Sequence, residues 1–322
     1  MKGSLGLLLY ALTAGTLGAA ALRRAHWPTR CPRLGVLTWQ GLSSSIVVAL
    51  FLSGLVLIAP MEVMSVKVAD ILDACALAIR EQYASPGGAV LHGTAVAVVL
   101  VLGTRTAYLL VFSLRNARRA AADHLAGLEL VAQRDPDLDV LIVDHPAAAA
   151  YCLPGRAGTI VLTSAAVAAL SGHELEVVLA HERAHLRGRH HVVTSVATAM
   201  ARAVPFIPGL RWARAEQSRL LEMIADDQAA RSGARLTVAR ALVTLGGATV
   251  PRAALGAADL AAAARVERLL TPVHRLGLGR RLLISTMLGA MALAPFAIAS
   301  APAVAAATLQ YCPILPAAIS VV

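Results

Sequence analysis

Four long apolar runs divide the chain, and polar or basic segments separate them. The runs cover about residues 5–22, 34–59, 88–114 and 282–309, and a bilayer core requires about 20 apolar residues. The first run is longer than the apolar core of a signal peptide, and basic residues follow it rather than precede it. The pattern therefore predicts four transmembrane helices.

Basic residues cluster beside three of these runs. They follow the first run, follow the third and precede the fourth: Arg23, Arg24, Arg30, Arg33; Arg115, Arg118, Arg119; Arg275, Arg280, Arg281. The segment 60–87 is slightly acidic. Because basic residues remain on the cytoplasmic side, we expect the N-terminus, an outer loop at 60–87 and the C-terminus outside a cell membrane.

This topology predicts three regions along the chain. Residues 1–114 form a membrane region with three spans, 115–281 a cytoplasmic domain, and 282–322 the fourth span with a short outer tail. Arg105 lies within the third run, near enough to its cytoplasmic end for its side chain to extend towards the headgroups, although an arginine within a span is often functional.

The composition supports a helical membrane protein. Hydrophobic residues make up 57% of the 322 residues, charged residues 15% and aromatic residues 4%, and the mean hydropathy is +0.68. The low aromatic content argues against a transmembrane β-barrel. Because the net charge of +10 comes largely from arginines beside the spans, we expect contact with membrane lipid and no direct binding of nucleic acid.

The cytoplasmic domain has a mixed α+β pattern. A charged helix at 115–134 continues from the third span, Asp139 to Asp144 is typical of a strand, and 150–163 predicts a hairpin around Pro154-Gly155. Helices are expected at 171–188, 212–232, 236–247 and 258–270. The predicted fold is a mainly α membrane protein with an α+β domain between its third and fourth spans.

The helix predicted at 171–188 contains the motif His181-Glu182-Arg183-Ala184-His185, an HExxH sequence. Side chains four residues apart lie on one face of a helix, so both imidazoles can bind one Zn²⁺ ion, and Glu182 can take a proton from a water molecule that the ion activates. The alternative is a helix whose histidines are solvated or hydrogen-bonded. Arg183 is expected to point away from the metal.

A catalytic zinc site requires a third protein ligand. The predicted helix at 212–232 supplies Glu222 as that ligand, and Asp226, one turn later, can accept a hydrogen bond from a ligand histidine. Glu216 and Asp227 are competing carboxylates.

These motifs, with the AYCLPGR sequence at 150–156 and LAHERAHLRGRHH at 179–191, resemble the gluzincin membrane peptidases, and most closely the beta-lactam-sensor (antirepressor) family. The resemblance implies that His181, His185 and Glu222 bind zinc, that Glu182 is the general base, and that a peptide substrate lies on an edge strand within 150–163. About a dozen residues follow the fourth apolar run, and they contain no SxxK motif. We therefore expect a short relative without the penicillin-binding domain, in which any signal is read by the 60–87 loop, the spans or a partner.

Three further side chains are candidate substrate contacts. Cys152 lies on the expected edge strand, Tyr151 can donate to a developing oxyanion, and His190 follows the motif closely enough to reach substrate or stabilise the oxyanion. A surface position for His190 and His191 is the alternative.

The four cysteines show no CxxC spacing. Cys75 and Cys312 fall outside in the predicted topology, where a disulfide between them can form, and two unpaired thiols are the alternative.

The sequence thus predicts a zinc metalloendopeptidase that cuts a cytoplasmic or membrane-proximal protein. The resemblance suggests regulatory proteolysis of a transcriptional repressor in signal transduction, and a second copy of the chain is a candidate partner. The alternatives are a general quality-control protease and a non-catalytic zinc-binding receptor. A transporter is disfavoured because no paired broken helices are visible.

Overall fold

The computed structural model describes residues 2–58, 86–155, 158–247, 257–272 and 276–310, which are mostly helical. The first part contains α1 (Lys2–Thr13), a π-helical segment (Ala14–Gly18), α2 (Ala19–Arg24), α3 (Trp27–Arg30), α4 (Pro32–Ile58) and α5 (Pro86–Glu129). Four strands follow: β1 (Gln133–Asp135), β2 (Val140–Val143), β3 (Ala150–Leu153) and β4 (Thr159–Thr163). The remaining helices are α6 (Ser164–Ala169), α7 (Gly172–Arg187), α8 (His190–Ala203), α9 (Pro208–Ser232), α10 (Arg235–Gly247), α11 (Ala257–Leu270) and α12 (Leu278–Gln310).

Four helical stretches of the described residues are long and apolar enough to cross a membrane. They are Gly3–Arg24, Pro32–Ile58, Gly87–Glu129 and Leu278–Pro302, and they coincide with the four predicted runs. Helix α4 packs against both α1 and α12. The expected Cys75–Cys312 disulfide and nearly all of the 60–87 loop lie outside the described residues.

Helix α5 continues without interruption from the third apolar run into the polar domain, as predicted. It ends at Glu129, however, and the last predicted helical residues instead form β1, which pairs antiparallel with β2. Two features explain why the chain turns after β1 and does not resume a helix. The residue before Pro136 disfavours helical backbone, and the Asp135 carboxylate accepts hydrogen bonds from the backbone N–H groups of Asp137 and Leu138.

The four strands form one sheet in the order β1-β2-β4-β3, with β3 at an edge. The predicted hairpin is confirmed, because β3 and β4 pair antiparallel, with Cys152 opposite Ile160. Side chains alternate across β3. Cys152 packs with the core that includes α7, whereas Tyr151 packs on the opposite side with Leu128 of α5.

Helix α7 matches the predicted helix at 171–188 to within one residue at each end. Ser171 and Glu174 form a reciprocal capping box at its start, and Gly188 follows its last residue. The next helix, α8, was not predicted. It begins only two residues after α7 ends, and Arg189 makes the turn with a left-handed backbone (φ 46°).

Helices α8 and α9 form a hairpin whose tip packs among the candidate membrane spans. Val204, Ile207 and Leu210 are fully buried in a cluster that includes residues of α1 and α4. The Arg105 guanidinium of α5 donates hydrogen bonds to the carbonyls of Arg202 (2.9 Å) and Ala203 (3.1 Å) at the end of α8. Its donors thus satisfy the last carbonyls of a helix, and the extension of Arg105 to the headgroups stays a prediction.

Candidate active site

The two histidines of the HExxH motif point to one place beside α7. His181 and His185 are one turn apart, and their Nε2 atoms lie 3.2 Å from each other. Both side chains are largely buried, with exposed fractions of 13% and 16%. The capped, proline-free helix thus brings two ring nitrogens together on one face.

Glu222 meets these histidines from α9, which packs against α7. One carboxylate oxygen lies 3.5 Å from Nε2 of His181, and the other lies 3.5 Å from Nε2 of His185. A tetrahedral ion with bonds of about 2.0–2.1 Å holds its ligand atoms about 3.3 Å apart. The spacing and the two-nitrogen, one-carboxylate donor set therefore fit zinc, and these residues could hold a metal ion.

Asp226 lies one turn after Glu222 and is fully buried. Its carboxylate is 3.1 Å from Nδ1 of His181, the nitrogen that faces away from Glu222. Burial alone would lower the pKa of His181, but hydrogen bonding to Asp226 and Glu222 outweighs it and raises this pKa to about 9. The structure thus brings Asp226 to the position that sequence reasoning proposed for it.

Arg265 of α11 contacts both carboxylates of this cluster, and sequence reasoning missed it. Its guanidinium donates to the two oxygens of Asp226 at 2.6 and 2.9 Å and lies 3.2 Å from Glu222. Burial would raise the pKa of Asp226, but the hydrogen bonds from Arg265 and His181 keep it below its usual range. Burial would also raise the pKa of Glu222, but His181, His185 and Arg265 keep the pKa of this carboxylate below its usual range.

His190 contacts His185 from behind, so the structure corrects both expectations for this residue. Its Nδ1 lies 2.8 Å from Nδ1 of His185, and only 6% of the residue is exposed. Burial, followed by the proximity of His185, lowers the pKa of His190 to about 4. A neutral His190 can therefore accept a hydrogen bond from Nδ1 of His185, which leaves Nε2 of His185 available as a ligand.

Cys152 is the one candidate substrate contact that faces the site. Burial and the neighbouring Glu182 carboxylate raise the pKa of its thiol to about 12, so the thiol is protonated. Tyr151 faces the other side of the sheet, where its hydroxyl lies 2.9 Å from His124. The proposed role of Tyr151 as an oxyanion donor is wrong, because adjacent strand residues point to opposite faces.

The competing carboxylates are engaged elsewhere. Asp227 pairs with Arg268 at 2.8 Å and Glu216 with Arg219 at 2.7 Å. Arg183 turns away from the metal ligands, as expected, and donates to the carbonyl of Leu138.

A cavity of 210 Å³ adjoins the candidate ligands. His181, Glu182 and Glu222 line one part of it, and Arg265 also contacts it. Its other walls are mostly apolar and come from β3, α7 and α10: Ala150, Val177, Val178, Val238, Ala241, Leu242 and Leu245. The arrangement combines three side chains that could hold a metal ion, a carboxylate that can transfer a proton, and an apolar recess.

Comparison with known proteins agrees with this geometry. Residues 128–275 match the model of peptidase family M48. This match supports a zinc metallopeptidase domain over these residues. The matched range includes every residue of the candidate site, from Cys152 to Arg265. No curated protein and no solved structure matches the chain.

Proposed function

We propose that this protein is a membrane-embedded zinc endopeptidase that cleaves a cytoplasmic or membrane-proximal protein. The observation that carries the proposal is the convergence of His181 and His185 with Glu222, whose ligand atoms lie within 4.8 Å of one another. In this proposal these three residues bind the metal, and Asp226 orients His181.

Glu182 is the proposed general base. A zinc ion at this site supplies a Lewis acid that polarises the peptide carbonyl and makes water more acidic. Glu182 lines the cavity next to the ligands, where its carboxylate can accept a proton from the attacking water. The same carboxylate then returns the proton to the leaving amine.

Strand β3 is the proposed support for the substrate backbone. It is an edge strand, so a peptide can add to it by backbone hydrogen bonding, and its residue Cys152 lies beside Glu182. The adjoining 210 Å³ cavity has a mostly apolar lining. We therefore expect an apolar substrate side chain next to the cleaved bond.

The proposed biological role is regulatory proteolysis of a transcriptional repressor. It is supported by the resemblance to the antirepressor peptidases, in which the peptidase domain lies between the third and fourth of four spans. The chain has four candidate spans in this arrangement.

Replacement of Glu182 by Gln tests the function. We expect the Glu182→Gln variant to retain zinc and lose cleavage, so that an uncut substrate accumulates in the proteome of the variant strain. Glu176→Gln is the matched control, because Glu176 is an exposed carboxylate on the same helix.

The identity of the accumulating protein separates the candidate roles. A DNA-binding repressor supports regulatory proteolysis, whereas many unrelated membrane proteins would indicate quality control. Zinc binding without any peptide hydrolysis by the wild-type protein would indicate a non-catalytic receptor.

A further inference from the structure

A second, larger cavity of 900 Å³ adjoins the α7–α8 connection. Its walls come from α5, from the residues around the β3–β4 turn, and from the end of α7 with the start of α8. Four basic side chains line it: Arg118, Arg187, Arg189 and His191. We call this cavity the basic groove.

The positive charge of the basic groove is not neutralised by the described part of the chain. Among the residues that the structure describes, no carboxylate forms an ion pair with Arg118, Arg187 or Arg189. Burial, followed by the charges of Arg118 and Arg189, lowers the pKa of His191. Arg118 and Arg189 both line this cavity, so an anion bound there would relieve their mutual repulsion.

The basic groove lies just beyond the end of the third apolar run, where α5 is expected to leave the membrane. Arg118 follows the end of the apolar run at Leu114 by about one helical turn, or about 6 Å. On the span side, α5 exposes the large apolar side chains of Tyr108, Val111 and Phe112. Basic pockets at this depth are suited to the headgroups of anionic lipids.

We propose that the basic groove binds the phosphate headgroup of an anionic phospholipid, with Arg118 and Arg189 as its principal contacts. A guanidinium group matches a phosphate because it can donate two parallel hydrogen bonds. The position of Arg118, one helical turn beyond the apolar run, favours a membrane lipid over an acidic peptide as the occupant. A peptide substrate is instead proposed to follow β3 to the candidate metal ligands.

The same groove is linked to the candidate metal site through the chain itself. Arg189 and His191 flank His190, whose ring lies 2.8 Å from His185. A headgroup bound by Arg189 therefore holds the short α7–α8 connection that positions His190. The lipid site is separate from the catalytic proposal, since it requires only that the protein lie in a membrane.

The test is direct measurement of lipid binding. The full chain is placed in phosphatidylcholine nanodiscs containing phosphatidylglycerol, and native mass spectrometry counts the phosphatidylglycerol molecules retained after release. We expect the wild type to retain one, and the double variant Arg118→Gln/Arg189→Asn to bind it about thirtyfold more weakly, from a contribution of about 1 kcal/mol per basic residue. Asn is chosen at position 189 because it tolerates left-handed backbone.

Arg119→Gln is the matched control. Arg119 carries the same charge and follows Arg118 in the sequence, but its side chain does not line the basic groove. Unchanged thermal unfolding and zinc content establish that the double variant is folded. Equal phosphatidylglycerol binding by the folded double variant and the wild type would overturn the proposal. So would displacement of the lipid by millimolar inorganic phosphate or by an acidic peptide, because the groove would then recognise free anions or substrate.

Discussion

Each of the three candidate ligands is supported by a further side chain. Asp226 contacts Nδ1 of His181, His190 contacts Nδ1 of His185, and Arg265 lies 3.2 Å from Glu222. Such partners orient ligand side chains and keep the metal-binding nitrogens in the right tautomer. The site is therefore held by a connected set of hydrogen bonds rather than by three independent side chains.

Arg265 provides a direct test of this support. We predict that Arg265→Gln weakens zinc binding about 10- to 100-fold, the usual effect of removing a partner behind a metal ligand, because Asp226 and Glu222 would lose their shared cation. Competition with a zinc chelator of known affinity measures the change.

Arg268→Gln is the control for this prediction. Arg268 lies three residues along α11 and forms a bidentate pair with Asp227, outside the ligand cluster. Equal zinc affinity in the two variants would show that Arg265 does not support the metal site.

Helical spacing explains which site residues were predictable. Residues four apart share a face, so HExxH implied the positions of His181 and His185, and the same spacing suggested Glu222 with Asp226. Arg265 was not predictable in this way, because its contact with Asp226 spans 39 residues and depends on how α11 packs on α9. His190 was misjudged because its helix was not recognised.

At the scale of elements, the α8–α9 hairpin connects the peptidase domain with the spans. Its tip packs against the π-helical segment, where an ideal Cβ placed on Gly15 would lie 2.3 Å from Ile207. Gly209 approaches the same segment, since a Cβ there would lie 2.3 Å from the Gly15 carbonyl. Small residues thus allow the hairpin to contact the first span.

Substitution of Gly15 tests this contact. We predict that Gly15→Ala lowers the free energy of unfolding by about 1–3 kcal/mol, a typical cost of overpacking, as measured by unfolding in detergent micelles. Gly18→Ala, in the same segment, should be nearly neutral because its Cβ would meet nothing closer than 3.8 Å.

Shortening Ile207 provides a second check. Ile207→Ala removes the Cγ2 methyl that a Cβ on Gly15 would meet, so it should cost less stability in the Gly15→Ala background than in the wild type. If Gly15→Ala were as stable as Gly18→Ala, the close packing between the hairpin and the first span would be refuted.

Local signals explain which elements were predictable. The Ser171 capping box and Gly188 marked both ends of α7, and Pro154-Gly155 marked the turn between β3 and β4. Helix α8 follows α7 with almost no connecting loop, so no turn sequence announced it. Its burial among the spans depends on tertiary contacts, which periodicity does not encode.

At the scale of the whole molecule, the proposed function requires the peptidase domain to lie in the cytoplasm. Placement of basic clusters supports this orientation. We predict that a fluorescent protein inserted at Gly277 fluoresces, because this reporter functions on the cytoplasmic side of the membrane. Alkaline phosphatase inserted within 60–87 should be active, because that enzyme functions on the outer side. The opposite pattern would place the site outside the cell.

The central claim is that His181, His185 and Glu222 together hold one zinc ion. The most direct test of this claim is the zinc content of the purified full chain, measured by mass spectrometry of the metal. The proteins compared are the wild type, Glu222→Ala and Glu216→Ala. We predict one zinc per chain in the wild type and in Glu216→Ala, and a loss of most of the zinc in Glu222→Ala. Full zinc content in Glu222→Ala, or none in the wild type, would contradict the account.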